Sequence, residues 1–478
     1  MTLLDNFNEL INSCFNSFSQ RRIAERVKSM AIGLISCYGR HTVTGMLTGC
    51  GKQFVDWSAA YRIFSQNRIN IEEMNRTILK EVASIQASSE NIVAHMDDTL
   101  IRKKGKKIPG TGWRRDPLGP PFHTNFVWGQ RYLQMSIAIA DHDTNCQSRA
   151  LPIDFIHCPP VTKLQRNATE EEVLEFKEKK KQARLNKQGS LRIKALRENL
   201  DETIAKDKQL IVSVDGSYTN GEVMKNLPGR TTLIGRIRKD TKLHKLPPEN
   251  QDKKGRKKSY GEQIPTPEQI RQDENTKWEK ATAWAAGKSH AFDVKIIKDL
   301  KWRAAGKNHI MQLIVIRPLS YRLSKGSKLL YRQPAYLICT DNHLDIEKLL
   351  QAYLWRWEIE VNLRDEKTIL GCGQAQVRND NAVKNLPAFT TAIYSLIHLA
   401  SKKSNLERGV NILPKAKWDN VEKHSRLSTS ELLNQIRCQI WSQNNKINFL
   451  DFVENQTKSK SLRINVNPST SAMFYVRK

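Results

Sequence analysis

Four side chains with useful chemistry occur at fixed spacing in the segment YLWRWEIEVNLRDEK: Tyr353, Arg356, Glu360 and Lys367. In a helix, which turns by about 100° per residue, they fall within an arc of roughly 60°. The segment's other three carboxylates point away from this arc. Glu360 is therefore a lone acid on a basic and aromatic face, which suits a metal ligand beside phosphate-binding groups. The alternative is an ordinary amphipathic helix with a salt-bridged polar face.

Further carboxylates end two apolar runs that are typical of strands. Asp97 and Asp98 end the run in NIVAHMDDTLI, and Asp215 ends the run in KQLIVSVDGSYTN. Carboxylates at the ends of adjacent strands can meet Glu360 from a covering helix at one edge of a sheet. Such a cluster repels itself unless it holds a cation, and its hard oxygen ligands suit Mg²⁺ or Mn²⁺. Two such ions can activate a water molecule and stabilise the leaving oxygen of a phosphodiester.

The two adjacent aspartates are alternatives for one position in this cluster. Strand alternation places Asp97 and Asp98 on opposite faces. The pattern Asp-x-Thr at Asp97 mirrors Asp-Gly-Ser at Asp215, which favours Asp97. Asp98 remains the alternative.

The elements that must position these acids indicate a mixed α/β layer. Residues 1–88 are helical in pattern, and RHTVTGMLTGCGKQFVDWSAAYRIFS resembles a helix, a turn and a second helix capped by Asp56. This is either a DNA-reading module or a packed helical hairpin. Strands follow, then one long charged helix over 167–206, with a break expected at Gly189-Ser190. Residues 241–280 are nearly free of large apolar side chains and predict a mobile loop.

The charge of the chain indicates a polyanionic partner. The 478 residues include 78 Lys and Arg against 49 Asp and Glu, which gives a net charge of +29 and a pI of about 9.8. A membrane surface is the competing polyanion, but no basic amphipathic anchor stands out. No apolar run approaches the roughly 20 residues that span a bilayer. Eight cysteines without a Cys-x-x-Cys pair argue against zinc knuckles and a disulfide framework.

A segment rich in Lys, Arg, Gly and Pro separates the first two strands, IRKKGKKIPGTGWRRDPLGPPFHTN. It predicts a loop whose Lys103 and Lys104 contact phosphates. A solvated loop of the same composition is the alternative.

At this point the sequence resembles the DDE transposases of prokaryotic insertion sequences, in the insertion sequence 4 superfamily. Their signature is Tyr-x2-Arg-x3-Glu-x6-Lys, and Tyr353, Arg356, Glu360 and Lys367 match it in every position. The likeness spans roughly residues 90–400. It implies a ribonuclease-H-like core, a β-rich insertion before the glutamate helix, and two divalent ions. Those ions are expected to be Mg²⁺, with Mn²⁺ as a substitute.

The resemblance also implies an activity and its residues. The activity is cutting at terminal inverted repeats and strand transfer of the 3′ ends into target DNA. The expected catalytic and metal-binding residues are Asp97, Asp215 and Glu360. The expected DNA contacts are Tyr353, Arg356, Lys367, Arg364, Trp302, Lys103 and Lys104. Trp302 is the insertion tryptophan expected to stack on a flipped base, with a core tryptophan as the alternative.

Pattern and resemblance together predict an α/β protein with five regions. These are a helical N-terminal DNA-binding domain (1–88), the first part of the catalytic core (89–240), a β-rich insertion with a mobile basic loop (241–342), the remaining core with the glutamate helix (343–400) and a helical C-terminal region (401–478). The expected partners are double-stranded DNA, both transposon ends and target, and a second copy of the chain on paired ends. A cytoplasmic, nucleoid-associated location without membrane contact is expected. The rival interpretations are an endonuclease that cuts without joining and a non-catalytic DNA-binding regulator.

Overall fold

Five helices precede the first strand, as the sequence predicts for residues 1–88. In this computed structural model, residues 2–116, 119–120, 122–248, 257–322, 326–404 and 426–444 are described. The five helices are α1 (Leu3–Ser13), α2 (Arg21–Ser36), α3 (Val43–Gly49), α4 (Ser58–Ser65) and α5 (Ile71–Ile85). Asp56 was predicted to cap α4, but the N-cap position is Trp57, which makes no side-chain capping bond. Asp56 lies one residue earlier and accepts a hydrogen bond from the Ser58 amide at 2.9 Å.

The next six strands build the centre of one large sheet. They are β1 (Asn91–Arg102), β2 (Gly112–Arg115), β3 (Phe126–Ala140), β4 (Ser148–His157), β5 (Gln209–Val214) and β6 (Thr231–Arg236). β3 pairs antiparallel with β1 and β4, and β2 pairs with the start of β3. On the other side of β1, β5 and then β6 add as parallel strands. The central strands β1 and β5 are apolar because both faces of the sheet are covered there.

Three helices lie between β4 and β6: α6 (Glu170–Gln182), α7 (Leu185–Asp201) and α8 (Gly221–Met224). The sequence predicted one helix over 167–206 with a break at Gly189-Ser190. The break lies instead at residues 183–184, between α6 and α7. Gly189 lies inside α7, where a built Cβ atom would be 2.9 Å from Met96 Cε and 3.1 Å from Tyr218 Cδ1. A larger residue there would require the Met96 side chain to shift, so glycine allows the close approach of α7 to β1.

The remaining strands extend the same sheet. They are β7 (His244–Lys245), β8 (Glu279–Ala285), β9 (Lys288–Lys301), β10 (Met311–Ile316), β11 (Ser320–Tyr321), β12 (Leu330–Tyr331) and β13 (Ala335–Cys339). β13 pairs antiparallel with β6, followed by β10 and β9, and β8 adds to β9. β11 and β12 form a separate two-stranded sheet. The predicted β-rich region is thus continuous with the central sheet.

The segment predicted as a mobile loop, 241–280, contains β7, the start of β8 and a short helix, α9 (Pro267–Gln272). Thr266 caps the start of α9. At its end, the buried Lys295 ammonium donates to the carbonyl oxygens of Ile270 and Asp273 at 2.9 and 2.6 Å. The local signal for this helix was the capping box of Thr266 and Gln269, with Pro267 at the first helical position. Composition alone did not reveal it. Residues 249–256 of the predicted loop lie outside the described residues.

Four helices complete the described chain: α10 (Ile346–Trp355), α11 (Trp357–Thr368), α12 (Asp380–Lys403) and α13 (Thr429–Asn444). α12 packs against β4 and against α1, α4 and α5, so the N-terminal helices share one hydrophobic core with the sheet. Of the predicted helical region 401–478, only the end of α12 and α13 fall within the described residues. In the part of the chain that the structure describes, no helix is long and apolar enough to cross a membrane.

Candidate active site

Asp97 lies in the middle of β1, which continues to Arg102, so the prediction that this aspartate ends the strand is wrong. It follows the last residue of β1 that pairs with β5, on the face of the sheet that α11 covers. Its Oδ2 atom is 3.6 Å from the Arg356 guanidinium, and its Oδ1 atom accepts a hydrogen bond from the Asp98 amide at 2.8 Å. Burial, reinforced by the negative charge of Asp215, raises the pKa of Asp97 from 3.8 to about 7. A cation close to this carboxyl group would stabilise its ionised form.

Asp215 follows β5, the parallel neighbour of β1. Met96 and Val214 are paired in the register of these strands, so the next residues, Asp97 and Asp215, lie side by side at the same edge. The Ser217 amide and hydroxyl both donate to Asp215 Oδ1, at 3.0 and 2.6 Å. This turn fixes the carboxylate at the end of the strand.

Glu360 joins the two aspartates through an arginine. The helix predicted around Glu360 is interrupted at Arg356, which lies between α10 and α11. The Arg356 guanidinium is 3.3 Å from Glu360 Oε1 as well as 3.6 Å from Asp97. Arg356 therefore lies between acids from two different elements, in a place where its positive charge offsets their repulsion.

Tyr353 and Lys367 flank this group. The Arg356 guanidinium carbon is 5.8 Å from the centre of the Tyr353 ring. At the other end of α11, the Lys367 ammonium donates to the Thr99 hydroxyl on β1, two residues beyond Asp97. Burial lowers the pKa of Lys367. The structure thus brings the four spaced residues of the sequence to one side of the two aspartates.

The other acids of α11 have different partners. Glu358 forms a two-pronged ion pair with Arg426, at 3.0 and 2.9 Å. Asp365 accepts from the Thr429 hydroxyl at 2.7 Å, and Arg364 pairs with Asp365 at 2.9 Å. Arg364 therefore lies apart from the carboxylate group, although the sequence places it near the same stripe.

Asp98 lies on the opposite face of β1, and both of its oxygens have partners. Its Oδ1 accepts from the Tyr218 hydroxyl at 2.8 Å, and its Oδ2 is 3.3 Å from Arg131. This environment is that of a structural carboxylate held between two elements. The geometry therefore favours Asp97 over Asp98 for the cluster with Asp215.

Comparison with known families assigns the chain to one of them. A model of the DDE superfamily endonucleases matches residues 13–305, more than half of the chain. The chain belongs to this DDE superfamily endonuclease family. No curated protein matches it. The matched residues include Asp97 and Asp215 and end before Glu360.

DDE endonucleases act on DNA and generally use divalent metal ions. Among the described residues, no group of three or more His, Cys, Asp or Glu side chains is arranged to hold a metal ion. The donor chemistry of Asp97, Asp215 and Glu360 nevertheless fits a hard cation, because all three offer carboxylate oxygens. Arg356 lies between two of these acids, so they could share one ion only after Arg356 moves aside.

A wide basic cleft opens next to this group in the endonuclease. It encloses about 760 Å³ and begins at Gly216, the residue after Asp215. Its lining has four basic side chains, Arg236, Arg238, Lys239 and Arg271. Two acids of the same lining, Asp240 and Glu268, pair with Arg238 and Arg271. Trp302 also lines this cleft while packing its other side against the core. The structure thus places Trp302 within the same cleft as the turn that carries Asp215.

The two lysines expected to contact phosphates differ. Lys104 is exposed. Lys103 is buried, and its ammonium donates to the carbonyl oxygens of Gly373 and Ala375 at 2.5 and 2.9 Å. Burial lowers the pKa of Lys103 to about 8. Lys103 is therefore a structural residue in this fold, and its expected role as a DNA contact is corrected.

Sequence reasoning did not single out His95 and Thr99, which share the Asp97 face of β1. His95 is fully buried and has no hydrogen-bond partner within the described part of the chain. Burial, with the nearby Arg356, lowers its pKa to about 3. Thr99 accepts from Lys367. Their alternate spacing with Asp97 was the available signal, because residues two apart on a strand share a face.

Proposed function

We propose that this endonuclease is a DNA transposase of the insertion sequence 4 superfamily. It would cut DNA at the terminal inverted repeats of its insertion sequence and join the 3′ ends to target DNA by two-metal phosphoryl transfer. The observation that carries this proposal is the meeting of Asp97, Asp215 and Glu360 around Arg356. Tyr353 and Lys367 lie on the same side.

The strand order supports a ribonuclease-H-like core. Along β4-β3-β1-β5-β6, the first three strands are antiparallel and the last two run parallel to β1. Asp97 and Asp215 follow the last paired residues of the two central parallel strands and lie side by side, where an extended substrate could reach them. We assign the core to residues 89–240 and 343–400, with the β-rich insertion between them. The helical N-terminal region, 1–88, is proposed to bind DNA.

In this proposal Asp97, Asp215 and Glu360 hold divalent ions, Mg²⁺ or Mn²⁺. When bound, such ions stabilise the charge of the transferring phosphoryl group and activate the attacking oxygen. The Arg356 guanidinium, which lies between Asp97 and Glu360, would be free to pair with a backbone phosphate if those carboxylates held a cation. Tyr353 can donate its hydroxyl proton to a neighbouring phosphate oxygen.

Lys367 and the basic cleft would hold the DNA on either side of the reacting phosphate. Lys367 is anchored by Thr99, so its charge is fixed close to Asp97. Arg236 and Arg238 line the cleft that begins beside Asp215, and Trp302 lies in the same cleft to receive an unstacked base. These contacts read shape and charge more than base sequence. A second copy of the chain, bound to the paired end, is part of the proposal.

Incubating the purified protein with Mg²⁺, labelled end DNA and a target plasmid tests the proposal. Transposition predicts nicked ends and a larger, joined product. Cut ends without any joined product would support the rival endonuclease that cuts without joining. Metal-independent binding with no cleavage would support a DNA-binding regulator.

Two neighbouring variants provide the matched control for residue roles. Asp97→Asn is expected to abolish cleavage, because it removes a carboxylate from the cluster. Asp98→Asn is expected to retain cleavage per folded molecule, because Asp98 faces Tyr218 and Arg131 instead. Equal residual activity in both variants would contradict this assignment.

A further inference from the structure

Two large aromatic side chains are exposed on the hairpin formed by β2 and β3. Trp113 is 68% exposed and Phe126 is 54% exposed. Trp113 pairs with Trp128 and Phe126 pairs with Arg115 in the antiparallel register. Paired residues share a face of a sheet, so Trp113, Arg115, Phe126 and Trp128 lie on one side.

The ring of Trp113 is supported and does not simply extend into solvent. It meets the Trp128 ring edge-to-face, with centroids 5.6 Å apart. Trp128 is itself held by a hydrogen bond from Nε1 to the Gly105 carbonyl oxygen at 3.3 Å. An exposed indole with a supported edge offers a flat apolar surface at little entropic cost.

This aromatic surface is on the same face as the candidate catalytic carboxylates. Asp97 pairs with Gln134, and six residues later Lys103 pairs with Trp128. An even number of residues separates them, so both lie on one face. At the rise of a strand, six residues correspond to about 20 Å, and the two strand spacings from β1 to Trp113 on β2 add about 10 Å sideways, so the direct distance is about 22 Å. Along a DNA strand that distance is about six nucleotides.

The charge around the hairpin complements DNA. Between Arg102 and Phe126 the chain has seven Lys and Arg residues and one acid, Asp116. Asp116 forms an ion pair with Arg102 at 2.8 Å. Lys104, Lys106, Lys107 and Arg115 are exposed. Aromatic faces bordered by cations are the arrangement with which proteins bind unpaired or unstacked bases.

We infer that Trp113 and Phe126 form a stacking surface for an unstacked base about six nucleotides from the phosphate that is cut. The inference rests on the proposed function, because the distance is counted from Asp97. In this arrangement the exposed basic residues hold the flanking phosphates, and the two aromatic rings receive the base. The surface would bind one base of the end DNA, at a site separate from the cleft that contains Trp302.

Binding without divalent metal tests this surface independently of cleavage. Two labelled duplexes of the protein's own end sequence are compared in EDTA, one fully paired and one with a mismatched pair six nucleotides from the end. The wild-type protein is expected to prefer the mismatched duplex by about tenfold, since one stacked base contributes that much. Trp113→Ala should bind both duplexes equally, and Trp113→Phe should keep most of the preference.

Two further variants test whether a lost preference reflects misfolding or a non-specific effect of removing an exposed side chain. Phe126→Ala should lose part of the preference, which keeps the test valid if Trp113→Ala fails to fold. Leu174→Ala, which changes an equally exposed residue (65%) on α6, should behave as the wild type. α6 packs on α7, which covers the opposite face of β1.

Specific outcomes would overturn the inference. A wild-type preference that persists in both Trp113→Ala and Phe126→Ala would exclude a stacking role. A change from dimer to monomer in Trp113→Ala without DNA, with the preference retained, would show that this face binds a second copy. A parallel Mg²⁺ cleavage assay separates the two proposals. Cleavage by the wild type, together with a duplex preference that Trp113→Ala leaves unchanged, refutes only the stacking surface. No cleavage by the wild type, together with a preference that Trp113→Ala abolishes, refutes only the transposase.

Discussion

Replacing Asp97 with asparagine is expected to stabilise the metal-free protein while removing its proposed activity. Burial and the charge of Asp215 raise the pKa of Asp97 from 3.8 to about 7 in the folded protein. Keeping Asp97 ionised at pH 8 therefore costs the fold up to about 4 kcal/mol, at 1.36 kcal/mol for each tenfold change in proton affinity. Asparagine resembles the protonated carboxyl group and avoids this cost.

The pH dependence has a definite sign. Between about pH 4 and 7 the folded chain holds a proton on Asp97 that the unfolded chain has lost. Proton binding to the folded state stabilises it at low pH, so this stabilisation is lost as pH rises through the folded pKa of about 7. The advantage of Asp97→Asn should therefore be near zero at pH 4, grow towards pH 7 and stay constant above it.

Chemical denaturation in EDTA at pH 5 and pH 8 measures this difference in the free energy of unfolding. Asp98→Asn is the matched control, because it should have the opposite sign. Loss of the Asp98 charge leaves Arg131 without its ion pair and weakens the bond from Tyr218, at a cost of about 1–3 kcal/mol. An Asp97→Asn protein that is less stable than the wild type at pH 8 would refute the reasoning. So would an advantage that does not change with pH.

Three other perturbations follow from the structure. Lys103→Met should lower the free energy of unfolding by about 2 kcal/mol, because two buried carbonyl oxygens lose their donor, while DNA affinity stays unchanged. Lys104→Ala should leave the free energy of unfolding unchanged but reduce the slope of log DNA affinity against log salt by about one. An unchanged slope would show that Lys104 does not contact DNA. Gly189→Ala should destabilise the fold by about 1–3 kcal/mol in the same denaturation assay, because its methyl group would overlap Met96 and Tyr218. A neutral effect would show that α7 can shift away from β1.

The local patterns of the sequence predicted the elements around the candidate site well. Two apolar runs followed by aspartate became parts of β1 and β5, and their parallel pairing brings Asp97 and Asp215 together. β5 ends before Asp215 as predicted, whereas β1 continues past Asp97 to Arg102. The helical spacing of Tyr353, Arg356 and Glu360 placed these residues on one side, because helical geometry depends only on neighbours in the chain. Strand alternation predicted that Asp97 and Asp98 lie on opposite faces, and the likeness of Asp-x-Thr to Asp-Gly-Ser favoured Asp97.

Predictions that depended on distant partners were less successful. Lys103 appeared to be a surface lysine in a basic loop, and only Gly373 and Ala375, about 270 residues later, bury it. The helix α9 was not predicted within a charged segment, although Thr266, Pro267 and Gln269 are a local start signal. Its anchor at the other end, Lys295 on β9, is distant in sequence. Such long-range contacts leave no periodic pattern in the sequence.

The position of Arg356 is a second feature that spacing could not reveal. A regular helix would have placed it one turn from Glu360, and the structure adds its contact with Asp97 on β1. This contact joins the helix to the sheet at the carboxylates themselves. It depends on how α11 docks against β1, which no local pattern specifies.

Cleavage of DNA carrying the ends that flank the protein's own gene tests the central claim most directly. The wild type and Glu360→Gln would be incubated side by side with Mg²⁺, after both are shown to be folded and to bind the DNA equally. Glu360 is partly exposed, so the substitution should leave the fold intact. The account predicts cuts at the ends by the wild type and none by Glu360→Gln. Equal cutting by both proteins would contradict the assignment of Asp97, Asp215 and Glu360 as the site of the chemistry.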